Sequence, residues 1–235
     1  MTHLLGDTLR LRPHLTWDVV LLCLCLGTAA NVVAELFLAI DLHHPYRLLS
    51  VPAKRLRWAR WLLCPSGLFL AGLFNQSPFA LTNLALFTVT AATDLETKCI
   101  PPDWFTYGCV VLAGVLGLVA NGVVGLRDVV VAQAICFAIM VTAVIFAHAA
   151  AGGDVKVLMQ YGASCGTLSL DVVGIAVETA VRVVIITFAS IWAIAHGRHW
   201  HRTVHNVLHM RLPHAPVAWL GVLSAIVVAG IVGVR

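Results

Sequence analysis

Two aspartates stand where the chain can least afford an unpaired charge. Asp94 closes an apolar run in Thr93-Asp94-Leu95-Glu96-Thr97, and Asp154 opens another behind Gly152-Gly153. Ionisable groups at membrane depth are expensive and therefore mark function or pairing. Two carboxylates that face each other share one proton, because both cannot ionise side by side. The ionised member then activates a water, while the protonated member polarises a carbonyl oxygen and protonates the leaving amine. That is peptide hydrolysis by a pair of aspartates. The competing reading is structural, with each Asp capping a helix end at the water boundary. Gly152 and Gly153 remove side-chain bulk just before the second carboxylate, so an extended peptide could approach closely.

The elements that carry these residues follow from composition. Of 235 residues, 60% are hydrophobic and 11% are charged, with a mean hydropathy of +0.92. Soluble domains carry about 25% charged residues, so a soluble fold is not expected. Apolar stretches of nearly spanning length recur along the chain. The expected fold is all-α, a polytopic transmembrane bundle of about seven to eight segments. One domain covers 1–235, with 17–60 supplying a first helix and a short basic connection and 61–235 the catalytic bundle. The segments are predicted near 17–40, 58–74, 79–94, 104–120, 128–150, 152–166, 170–196 and 216–234. Tight turns fall at Asn75-Gln76-Ser77-Pro78 and over the Gly-rich stretch Asn121–Leu126. Arg10 and Arg12 precede the first run, but the run is too long for a signal core and reads as a retained helix.

Charge sets the orientation. One set of alternating connections, with its flanks, carries Arg47, Lys54, Arg55, Arg57, Arg60, Lys98, Arg198, Arg202 and Arg211, whereas the opposite set carries Arg127. The positive-inside rule puts the basic set in the cytoplasm and both chain ends outside, in a cell membrane. Asp94 and Asp154 then fall at the cytoplasmic boundary together. The same rule explains the basic clusters without nucleic acid, which is not an expected partner.

With those residues in view, the chain resembles the type IV prepilin peptidases. Asp94 followed by Ile100-Pro101 is similar to their first aspartate motif. Ala151-Gly152-Gly153-Asp154, then Val155-Lys156 and Tyr161-Gly162-Ala163, resembles their GxGD motif with its trailing Lys and Gly-Ala. Leu212-Pro213-His214-Ala215-Pro216 with Gly221 resembles the entry to the family's last helix, and Gly27–Val33 resembles a stretch of its first. The resemblance implies an aspartic endopeptidase that removes the leader of type IV prepilins or pseudopilins at the cytoplasmic membrane face. It makes Asp94 and Asp154 catalytic and places Gly152, Gly153 and Lys156 on the substrate side. Two departures stand out: Ala151 replaces the first glycine of GxGD, and the zinc-binding insertion with paired CxxC motifs of many relatives is missing. Neither a cofactor nor a metal is therefore expected, and peptidase activity is expected without the zinc-binding domain.

Other features have simpler readings. His201, His205 and His209 would align on one helix face and could hold a metal, but a basic surface helix at anionic headgroups explains them too. Glu178 and Arg182, four residues apart, read as a buried pair, and Glu35 must face the bundle or water. The seven cysteines lack CxxC spacing and read as small apolar residues. Two alternatives remain for the whole chain: a multi-pass transporter or channel lined by its intramembrane charges, and a degenerate assembly protein of the same fold.

Overall fold

The computed structural model describes residues 16–40, 53–74, 77–97, 100–147, 152–165 and 214–232, together with Val184, Thr187, Phe188, Ile191 and Ala195. The described residues form helices and no strands: α1 (Trp17–Ile40), α2 (Ala53–Phe74), α3 (Pro78–Thr97), α4 (Asp103–Ala147), α5 (Gly152–Cys165) and α6 (His214–Val232). The expected segment at 170–196, with Glu178 and Arg182, and the histidine stretch up to Pro213 lie outside the described residues, apart from the five single helical positions.

Helix α4 is continuous in hydrogen bonding but not in direction. Asn121 (φ −133°, ψ 16°) and Gly122 (φ 64°, ψ −151°) leave helical geometry. A positive φ of this kind suits glycine, which has no Cβ to clash. The chain turns back on itself there, giving arm α4a (103–120) and arm α4b (123–147). A Cβ added at Gly117 would stand 2.8 Å from the Gly125 carbonyl oxygen, so the arms touch backbone to backbone beside the turn. Further along, Gln133 Nε2 donates to the Val110 carbonyl at 2.9 Å. Helices thus stand where the fourth and fifth segments were expected, but only two residues separate them, because helix resumes at Val123 rather than after Leu126.

Helix α3 is the hub and packs against all the other described helices. Pro78 starts it, where a missing N–H does no harm, and Leu81 N donates to the Ser77 carbonyl just before it. Every residue from Phe87 to Asp94 is buried. A helix buried all round needs small side chains and internally satisfied polar ones. Ala91 and Ala92 supply the first, while the Thr88 and Thr93 hydroxyls donate back to the carbonyls of Leu84 and Val89 at 2.7 and 3.1 Å. Against α3, the core collects Leu68, Leu84, Val157, Tyr161 and Val222 from four helices.

Two stretches, Trp17–Ala39 and Asp103–Ile139, are long and apolar enough to cross a membrane, the second being the hairpin. Only 33% and 22% of their most apolar windows are buried. The core helix of a soluble protein would be buried along most of its length. Here Leu21, Leu36, Val111 and Val119 face outward instead.

Candidate active site

Asp94 sits on the last full turn of α3 and is 6% exposed. A carboxylate there faces the negative end of its own helix dipole, which is unfavourable. The arrangement offsets this with a second helix. Ala215 N, in the first turn of α6, donates to Asp94 Oδ2 at 2.8 Å. The next residue, Pro216, has no N–H to offer, so Asp94 takes an orphan donor of the α6 start. Lower down the same interface, Trp219 Nε1 donates to Thr88 Oγ1 at 2.8 Å. The two bonds set α6 antiparallel to α3. They also give a physical reason for the proline-containing entry to the last helix.

Gly152, Gly153 and Asp154 form the first turn of α5 by backbone. Their side chains lie outside the described set, so the placement of position 154 rests on register. Lys156, near the start of α5, is ion-paired with Asp103, at the start of α4a and six residues beyond the end of α3. The beginning of α5 therefore lies at the same end of the bundle as the end of α3, and the two helices run antiparallel. Farther along, the Phe87 and Tyr161 rings meet edge to face with centroids 6.5 Å apart. Position 94 lies seven residues after Phe87, and position 154 lies seven before Tyr161. Seven residues are almost two helical turns, so each position shares the face of its aromatic and lies about 10 Å beyond the ring contact. Both displacements point to the same end. Register thus brings positions 94 and 154 to one level of the α3–α5 interface, where packed helix axes lie about 8–10 Å apart.

The trailing motif residues explain how α5 is held at that level. Tyr161 is fully buried against Phe87. A Cβ at Gly162 would stand 2.8 Å from the Ala132 carbonyl oxygen, so only glycine allows this approach of α5 to α4b. Lys156 contacts Asp103 and lies 5.5 Å from the centre of the Tyr107 ring. It is thus engaged on the α4a side of α5. Two residues along a helix rotate by about 200°, which puts positions 154 and 156 on opposite faces.

The sequence did not announce a second polar cluster at the end of α3. Arg60 of α2, read as part of a basic connection, lies inside the helix and is 1% exposed. Its guanidinium is ion-paired with Glu35 of α1, and its Nη1 lies 2.9 Å from Glu96 Oε1 of α3. Glu96 is two residues beyond Asp94. The signal available was Glu35 itself, since a carboxylate within an apolar helix calls for a buried counter-charge. Asn31, from the first-helix stretch of the resemblance, is also fully buried and donates Nδ2 to the Gly27 carbonyl at 3.1 Å. Among the described residues, no group of three or more His, Cys, Asp or Glu side chains is arranged to hold a metal ion.

Set against protein-family models, curated proteins and solved structures, the chain matches none.

Proposed function

We propose that this chain is a membrane-embedded aspartic endopeptidase of the prepilin-peptidase type. In this reading it is a polytopic bundle of seven to eight segments in the cell membrane, with its site at the cytoplasmic face. Its substrates are type IV prepilins or pseudopilins, whose apolar helix lies in the bilayer beside the protease. The observation that carries the proposal is Asp94: a buried carboxylate on the central helix, level with position 154 across the α3–α5 interface.

The chemistry follows from the two carboxyls. Asp94, which accepts the Ala215 N–H of the α6 start, takes the ionised role in this reading. It takes a proton from the water whose oxygen attacks the scissile carbonyl carbon. Asp154, in the protonated role, donates to the carbonyl oxygen as the tetrahedral adduct forms. Collapse of the adduct breaks the C–N bond, and the proton held by Asp94 passes to the departing amine. The carbonyl re-forms and its proton returns to Asp154, so the pair ends as it began. Gly152 and Gly153 leave room for the substrate backbone.

A second reading has one observation in its favour. Capping α6 is a structural duty, and an assembly protein of the same fold without hydrolytic activity would keep Asp94 for that alone. Leader removal separates the two. The protein is co-expressed with a prepilin from the same genome, and the shift on a gel is followed for wild type, Asp94→Asn and Asp154→Asn. Cleavage by wild type that both substitutions abolish, with the variants still inserted, supports the peptidase. Variants that cleave as well as wild type sink the two-aspartate mechanism. A wild type inert toward every prepilin of that genome favours the scaffold.

A further inference from the structure

Among the described residues, the Glu35–Arg60–Glu96 cluster holds the most heavily buried charge that the hydrolysis does not use. Arg60 is among the largest fully buried side chains, and it is held between carboxylates from two other helices. Buried ion clusters of this kind are poor stabilisers, because well-packed apolar residues of the same volume often do as well or better. Stability alone therefore does not account for it. Its location does suggest a task. Glu96 shares the last turns of α3 with Asp94, and Arg60 grips that segment from α2 while α1 holds Arg60 from the far side.

We infer that Arg60 is a positioning residue for the hydrolytic pair, acting on Asp94 through Glu96; the inference rests on the peptidase reading above. It works through geometry: the planar guanidinium bridges two carboxylates at once and so fixes where the end of α3 lies against α1 and α2.

Three variants test this in the leader-cleavage assay, run with purified protein in detergent over a range of substrate concentrations. In the first, Arg60→Met is combined with Glu35→Gln and Glu96→Gln, which removes every charge of the cluster at similar volume. In the second, Arg60→Gln stands alone. In the third, Arg60→Lys keeps the charge but loses the fork. Arg60→Gln is expected to lower kcat by at least tenfold with little change in KM. Arg60→Lys is expected to recover most of that loss, at a rate a fewfold below wild type. The triple variant is expected to unfold no earlier than wild type yet to remain at least tenfold slower. A triple variant as fast as wild type overturns the inference, as does an Arg60→Gln loss that falls on KM instead of kcat; if the triple variant fails to insert, the Gln and Lys comparison decides alone. Failure of the peptidase reading looks different, because wild type itself then leaves the leader in place.

Discussion

The two ends of the bundle are built by opposite means. At the end that holds Asp94, every described helix contributes a polar contact: Glu35 from α1, Arg60 from α2, Asp94 and Glu96 from α3, Asp103 from α4a, Lys156 from α5 and the Ala215 N–H from α6. At the other end the helices are joined by small residues. Gly117 and Gly125 bring the arms of α4 together, Gly72 meets the Cys23 Sγ, and a Cβ at Gly230 would stand 2.6 Å from that of Phe74. Of the charges there, Arg127 and Asp128 are neighbours that pair with each other at the surface, and Asp18 is exposed in the first turn of α1. Close packing of glycines suffices to hold helices in an apolar medium. Among the described residues, the costlier solution of buried charge appears only where chemistry is proposed, and the contrast separates what builds this fold from what places its carboxylates.

Substitutions at the two ends should therefore fail in different ways. The largest effect is expected for Asp94→Asn and Asp154→Asn, which should slow leader cleavage by about 10²–10⁴-fold, the usual worth of a general acid or base. The amide oxygen introduced by Asp94→Asn can still accept the Ala215 N–H, so this variant should leave thermal unfolding nearly unchanged, whereas Asp94→Ala should lose the cap and about 1 kcal/mol. Arg60→Met alone removes one partner of a buried ion cluster from Glu35 and Glu96 and should destabilise by about 3–5 kcal/mol in a denaturing-detergent titration. At the opposite end, Gly117→Val forces the hairpin arms apart and should cost about 1–3 kcal/mol, with cleavage per folded molecule unchanged. If Gly117→Val instead lowered cleavage as strongly as it lowered stability, the division between the ends would be wrong. The smallest effect is expected for Lys156→Met, where the partner Asp103 is 70% exposed. Solvent screening limits such a pair to about 0–1 kcal/mol, and high salt should erase the difference between wild type and variant.

Much of this was readable from residue order, and the exceptions have physical reasons. Trp17–Ile40 and Gly152–Cys165 were expected almost to the residue, because long apolar runs and a glycine pair announce them. Helix α2 starts earlier than expected, at Ala53, since Lys54, Arg55 and Arg57 are good helix formers despite their charge. The hairpin turn was placed correctly but drawn too long: one positive-φ glycine at 122 completes it, and the following valines return at once to helix. Asp94 was identified as a site residue, but its bond to Ala215 joins positions 121 residues apart. The Arg60 cluster was hidden for the same reason, its three members lying on three separate helices. Arg60 also follows three other basic residues, which made it look like one more member of a charged connection.

The two-residue reversal in α4 also bears on how the chain is made. In a bilayer, arms joined by only Asn121 and Gly122 have no slack to enter one at a time. There they would go in as a single wedge, led by the turn. The charge at that turn is slight, because Arg127 Nε and Nη2 already bond Asp128 Oδ1 at 3.1 and 3.0 Å. The hairpin thus ends in a nearly neutral tip. Lengthening that tip with a flexible insert would uncouple the arms and slow the assembly of everything that docks on α4b, beginning with α5 and its aspartate.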